Sequence, residues 1–430
     1  MKKVLSASLA LVLSVSLFGC SSSSAASSAA ATAEGTAAAS SASDLKVGII
    51  LIGDENEGYT AAHIDGIKEA AKNLGIADDQ IMWKYSIAES QDCKDAALDL
   101  VDQGATLVIS NSYGHQTFMQ EAASENPDVT FVSVTGDTAH NSGLANFKNA
   151  FNLTYESRYV SGVVAGMKLK ELIDNGTLTK EAMPDAFTGD DIKIGYVGAY
   201  PYAEVVSGYT AFFLGIQSVV ENVHMYVEYT NSWFDINKEA ETANSLMAKG
   251  CVIIGQHADS TGAPSAVQAA FEQNGTVAYS VGYNVSMLSV APDVALTSSS
   301  NNWATYYEYA FKSMMDGTEI ATDWAEGYET GAVNITELGT SVAEGTKEKV
   351  AEVEAAIKDG SLNVFDTSKF TVDGANLTDD FELNLSFTDV PEIIKPISNG
   401  VFHESDTKDG FRSAPYFSIR IDGIEESGAN

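Results

Sequence analysis

The 430-residue chain is strongly acidic, with 59 Asp and Glu against 24 Lys and Arg and a formal net charge of −35. Such a surface repels phosphate backbones and anionic headgroups, which excludes nucleic acid and anionic membrane surfaces as partners. With 45% hydrophobic residues the chain can fill two cores, and the absence of CxxC or zinc spacing predicts Cys93 and Cys251 to be free, buried thiols.

The N-terminus has a short basic start, Met1-Lys2-Lys3, and an apolar run from Val4 to Gly19. That run is shorter than the roughly 20 residues of a membrane span and fits a signal-peptide core. Leu17-Phe18-Gly19-Cys20 resembles a bacterial lipobox, in which Cys20 becomes lipid-modified; a plain secretory signal with an incidental Cys is the alternative. Residues 21–43 are nearly all Ser, Ala, Gly and Thr and read as a flexible tether, which favours an anchor at one end.

The folded part opens on a buried strand, Lys46 to Ile52, followed by a turn and a helix ending at Gly75. Strands at 105–110 and 129–134 alternate with helices beginning near Asp92 and His115. Helix Thr154 to Ile173 leads to a second half that restarts at Ile192, with strands at 223–229, 251–254, 277–281 and 294–297. Strands alternating with amphipathic helices mean parallel sheets. Lys-x-Gly opens each half, and Gly66-Ile67 is echoed by Gly215-Ile216, so the halves read as a distant repeat. The expectation is an α/β protein of two Rossmann-like lobes joined by a hinge. Lobe I takes residues 44–150 plus 295–325, and lobe II takes 151–294 plus 326–430. A helix follows Trp303, residues 324–333 read as extended, a helix spans 346–359, and Val364-Phe365-Asp366 starts another strand. Beyond Asn376 the chain is turn-rich and unplaced.

Cys251 to Ser260 is a short apolar run ending in polar residues, where Gln256, His257 and Asp259 stand at a strand's carboxyl end. Ligands bind at such ends in open α/β sheets, although Asp259 or Ser260 could equally cap the helix starting near Pro264. Aromatic residues sit beside polar ones at other strand ends: Tyr59, Trp233-Phe234, and Trp303 after Asn301-Asn302. Flat rings with amide and carboxylate neighbours suit a flat heteroaromatic ligand. Lobe core is the competing reading for Trp233, and the start of a helix for Trp303. Asp54, after the first strand, and Asp137, after the strand at 129–134, complete the ligand-binding candidates. No GxGxxG, phosphate-loop, HExxH or GxSxG motif occurs, the six histidines show no metal spacing, and no cofactor is expected.

These motifs resemble the basic membrane lipoproteins, the substrate-binding proteins of nucleoside-type ABC transporters. The resemblance rests on Gly58-Tyr59-Thr60-Ala61-Ala62-His63, the helix Glu156 to Gly166, Pro201 to Val206, Ser232-Trp233-Phe234-Asp235, Gln256 to Ser260 and Asn302-Trp303. It covers about residues 46–330 and implies a type I periplasmic-binding-protein fold. It further implies a monomer held at the cell membrane by a lipid anchor, with ABC permease subunits as partners. The implied ligand is a purine base or nucleoside stacked on Tyr59 and Trp233. A ribose-binding Asp falls near Asn284 and a basic residue near Asn301 or Asn302. Those departures imply a free base such as adenine rather than a nucleoside. A ligand-sensing receptor of a membrane signalling protein and an extracytoplasmic nucleoside hydrolase are the other readings.

Overall fold

The computed structural model describes residues 45–385, 393–405 and 412–429. The signal peptide, Cys20 and the tether expected at 1–43 lie outside the described residues.

The first sheet is built from β1 (Val47–Ile50), α1 (Gly58–Leu74), β2 (Ile81–Lys84), α2 (Gln91–Asp102), β3 (Leu107–Ser110), α3 (Gln116–Glu125), β4 (Thr130–Val134), the one-turn α4 (Ala139–Ser142) and β5 (Phe147–Ala150). The second follows from α5 (Thr154–Asp174), β6 (Phe187–Thr188), β7 (Asp191–Gly198), α6 (Ala203–Gln217), β8 (Val223–Tyr229), α7 (Ile236–Ala248), β9 (Ile253–Gln256), α8 (Gly262–Asn274), β10 (Tyr279–Tyr283) and β11 (Ala295–Asn301). Then come α9 (Trp303–Asp316), β12 (Asp323–Trp324), β13 (Val333–Ile335) and α10 (Thr346–Lys358). Short hairpin strands β14 (Leu383–Asn384), β15 (Ile393–Ile394), β16 (Ile397–Ser398) and β17 (Val401–Phe402) precede β18 (Ile424–Ser427).

The first sheet runs β12-β5-β4-β3-β1-β2 and is parallel throughout. The second runs β13-β11-β10-β9-β7-β8-β18, with β6 paired to β7 off this path, and is parallel except at β13 and β6. β1, β3 and β9 are buried along their whole length, as strands covered by helices on both faces must be. β11 pairs with β10, so the strand grouped with lobe I from sequence is hydrogen-bonded into the second sheet. The stretch 324–333 resolves into β12 and β13, one in each sheet. Val364 to Asp366 forms no strand; Phe365 instead stacks on Phe417 with centroids 4.3 Å apart. The turn-rich tail ends in β18, which extends the second sheet beside β8. Cys93 and Cys251 are free and buried, and burial pushes both thiols up to about 12.

The chain passes between the sheets after β5, after β11 and after β12. Asparagines tie these crossings together. Asn152 Nδ2 donates to Asn301 Oδ1 (3.1 Å) and to the Ala332 carbonyl (3.0 Å). Thr154 Oγ1 donates to Asn301 Oδ1 (2.9 Å), and Asn302 Nδ2 donates to the Gly331 carbonyl (3.1 Å). These amide contacts hold the crossing segments together at the junction of the lobes.

Candidate ligand-binding site

The carboxyl ends of both parallel sheets face a cavity of about 330 Å³ lined by residues of both lobes. That volume lies at the small end of ligand pockets. The lobes touch at its edge. A Cβ built on Gly58 would stand 3.3 Å from the Asp259 carbonyl, and the Tyr113 and Tyr202 rings approach to 5.8 Å.

On the lobe I side, Glu57 caps α1 and accepts the backbone N–H groups of Tyr59 (2.6 Å) and Thr60 (2.8 Å). The cap fixes Tyr59 at the cavity wall, where its hydroxyl donates to the Asn111 carbonyl. Behind it His63 lies edge-on to Tyr59 at 4.5 Å and stacks on Trp303 at 4.3 Å. His63 Nδ1 pairs with the Tyr307 hydroxyl at 2.6 Å, and burial holds the imidazole well below its ordinary pKa, so it is neutral. Trp303 itself reaches the cavity, although it opens α9.

On the lobe II side, Trp233 and Phe234 project from the turn between β8 and α7. Trp233 meets Tyr200 edge-on at 4.9 Å. Its carbonyl accepts the Asp259 N–H (2.8 Å), which joins this turn to the one after β9. Glu239 secures the same joint, taking the N–H groups of Asp235 (3.0 Å) and Ser260 (3.1 Å).

Of the residues expected at the site, Tyr59, Asp54, Trp233, Phe234, His257 and Asp259 line the cavity. Four stand behind it. Gln256 is turned inward, donating to the carbonyls of Ala258 (2.7 Å) and Ser260 (2.9 Å), so it shapes the loop. Asn284 donates to Asp259 Oδ1 (2.7 Å) from a left-handed backbone position, φ 63°. Asn302 belongs to the crossing, with Asn301 taking its place on the wall. Asp137 is occupied by the Tyr113 hydroxyl (3.2 Å) and by Arg412. The helix-cap alternative for the Cys251–Ser260 stretch does not hold: the N-cap of α8 is Thr261, without a side-chain cap bond, and Ser260 Oγ only takes the Gly262 N–H (3.0 Å).

The residue the sequence did not reveal is Glu204, in the first turn of α6. Burial pushes its carboxyl up to about 8, with Arg158 opposing and Asp137 and Glu89 adding. It is therefore protonated at neutral pH, presenting an O–H donor beside a C=O acceptor. Burial also holds Asp259 well above the usual carboxylate range, with the charge of Glu57 adding to the effect. Arg158, fully buried on α5, donates to the Gln256 carbonyl (2.5 Å) and lies 3.6 Å over the Tyr283 ring. Its Nη2 meets His257 Nδ1 at 3.3 Å, and burial keeps His257 well below its ordinary pKa. A neutral His257 accepting at Nδ1 carries its proton on Nε2. The wall thus combines aromatic faces with carboxyls that burial pushes above their ordinary range and a neutral imidazole, which suits an uncharged planar molecule and disfavours a phosphorylated one.

Comparison with known proteins fits this geometry. Residues 46–366 match the family described as ABC transporter substrate-binding protein PnrA-like. The chain belongs to this family. It is 34% identical over 325 residues to a purine-binding protein of Brucella abortus (strain 2308), covering 75% of this chain and 83% of that one. It is 30% identical to a putative ABC transporter glucose-binding protein of Haloferax volcanii, over 68% of each chain. The solute-binding protein of an ABC transporter system from Aeropyrum pernix K1 superposes with a TM-score of 0.60 at 15% identity, covering 77% of this chain and 94% of that one. The fold is the type I periplasmic solute-binding fold. The family is one of substrate-binding proteins that carry a small molecule to a permease outside the cytoplasm. Among the described residues no helix is long and apolar enough to cross a membrane.

Proposed function

We propose that this substrate-binding protein captures a free purine base, with adenine as the best match, and delivers it to an ABC permease from a lipid anchor at Cys20. The supporting observation is that aromatic rings of both lobes line one cavity together with a half-buried acid, Glu204, whose carboxyl is pushed up to about 8. A protonated carboxyl pairs an O–H donor with a C=O acceptor. That pattern complements an adenine edge, where an exocyclic N–H stands beside a ring-nitrogen acceptor. The base stacks on Tyr59 and Trp233, and Asp259, steadied by Asn284, takes a second polar edge. Asn284 and Asn301 stand where the resemblance places a ribose-binding carboxylate and a basic residue, which favours base over nucleoside. The protein turns nothing over; purine nucleosides are expected to remain uncleaved.

The sign of the pH dependence follows from Glu204. Its pKa in the protein, about 8, lies above the ordinary 4.5, so the donor is present at neutral pH and lost above about 8. Adenine affinity is expected to fall by up to about tenfold per pH unit above that point. Glu204→Gln keeps a donor and an acceptor that cannot titrate, so its adenine affinity should stay flat across the same range. Titration calorimetry from about pH 6 to about pH 9.5 reads both. A wild-type affinity unchanged through this range would contradict the assignment.

A further inference from the structure

The family match ends at residue 366, and the chain continues through a tail whose described parts include residues 393–405 and 412–429. This tail is firmly part of lobe II. Tyr416, Phe417, Ile419 and Ile421 are buried in the same core as Val205, Val206 and Tyr209, and β18 pairs with β8. Glu404 accepts the Ser207 hydroxyl of α6 and takes the Tyr416 N–H on its carbonyl (2.9 Å).

Two consecutive tail residues nevertheless reach lobe I. Arg412 Nη1 lies 3.5 Å from Asp137 Oδ2, both side chains almost wholly buried. The backbone N–H and hydroxyl of Ser413 both donate to Asp323 Oδ1, at 2.8 and 2.9 Å. Asp137 follows β4, and Asp323 opens β12, so both acceptors belong to the first sheet. Between these attachments the tail backs the ligand cavity. Glu404 and Pro415 enclose a hollow of about 10 Å³ that shares Glu204, His257 and Tyr283 with the wall of the cavity. That hollow holds at most one water.

We propose that Glu404 and residues 412–417 form a strap that ties lobe I to lobe II behind the ligand cavity, favouring the closed state and slowing ligand release. Lobe opening pivots on the crossings, whereas the strap is fixed to lobe II, so opening must break the Arg412 and Ser413 contacts. Contacts made only in the closed form raise its population and with it the apparent affinity. The inference rests on the purine reading only for its probe.

Two measurements on the full chain test it. In ligand-free protein, spin labels at the exposed Lys72 of lobe I and Lys238 of lobe II report the interlobe distance. Arg412→Ala is expected to shift the distribution to longer distances. Stopped-flow release of adenine should quicken by about tenfold, because truncating one partner of a buried charge pair acts chiefly on the off-rate. Ser413→Ala, a milder change, should move both readouts the same way to a lesser extent. Adding Asp137→Asn to Arg412→Ala should give less than the sum of the two separate effects. Unchanged distances and release in variants that melt like the parent overturn the strap. If the parent binds no purine, the purine reading fails while the distance measurement still decides the strap.

Discussion

Replacing Trp233 with alanine is expected to weaken adenine binding by about 5- to 150-fold, the equivalent of the roughly 1–3 kcal/mol that stacking a base on an aromatic ring contributes. The upper part of that range is favoured because the indole is held in place before ligand arrives. Tyr200 and Tyr202 pack against it at 4.9 and 6.0 Å, His257 lies at 6.3 Å, and its carbonyl is pinned by the Asp259 N–H. A ring already ordered loses little conformational freedom on binding. Trp233 is only half-buried, so its loss should lower the affinity far more than the melting temperature. Calorimetric titration beside a thermal melt separates the two, and a Trp233→Ala protein with parental affinity would remove the stacking role.

The second large effect is on the scaffold. Helices α5 and α6 cross in backbone contact. A Cβ on Gly162 would stand 2.2 Å from the Phe212 carbonyl oxygen, and one on Gly215 2.1 Å from that of Tyr159. Neither obstacle is a side chain that can swing away, so the helices must separate. Overpacking of this kind costs about 3 kcal/mol at its upper end. Since α5 carries Arg158 and α6 carries Glu204, the separation also distorts the cavity wall. Gly215→Ala is therefore expected to unfold at markedly lower denaturant and to bind adenine poorly. An unfolding midpoint equal to the parent's would show that the crossing is looser than this geometry.

The glycine echo between the two halves was legible in sequence, and its reason is now visible. Gly66 lets α1 approach Trp303 and Ala304 at the start of α9, as Gly215 lets α6 approach α5. Strands that are apolar runs, such as β1, β3 and β9, were equally legible, because burial on both faces leaves no other composition. β5 was not. Its Lys148 and Asn149 are buried only because distant groups receive them, Glu319 (2.8 Å) for the lysine and the Ser133 carbonyl (3.1 Å) for the asparagine. The division of the lobes near residue 295 was blurred for a similar reason. β11 ends in Ser298-Ser299-Ser300-Asn301, whose polar side chains gave no sign of a sheet interior. At the site, Tyr59, Trp233, His257 and Asp259 follow strands and were found. Glu204 was missed because a single Glu at the start of an apolar helix looks exposed in sequence. The tail was unreadable because its order comes from contacts with residues up to 275 positions away, as between Asp137 and Arg412.

The central claim is that the interlobe cavity takes a free purine base. It is tested most directly by titrating the purified protein with adenine, guanine, hypoxanthine, their nucleosides and glucose in the calorimeter. One adenine per chain, bound more tightly than adenosine and with no response to glucose, is the predicted result. Binding of glucose with no heat from any purine would contradict it.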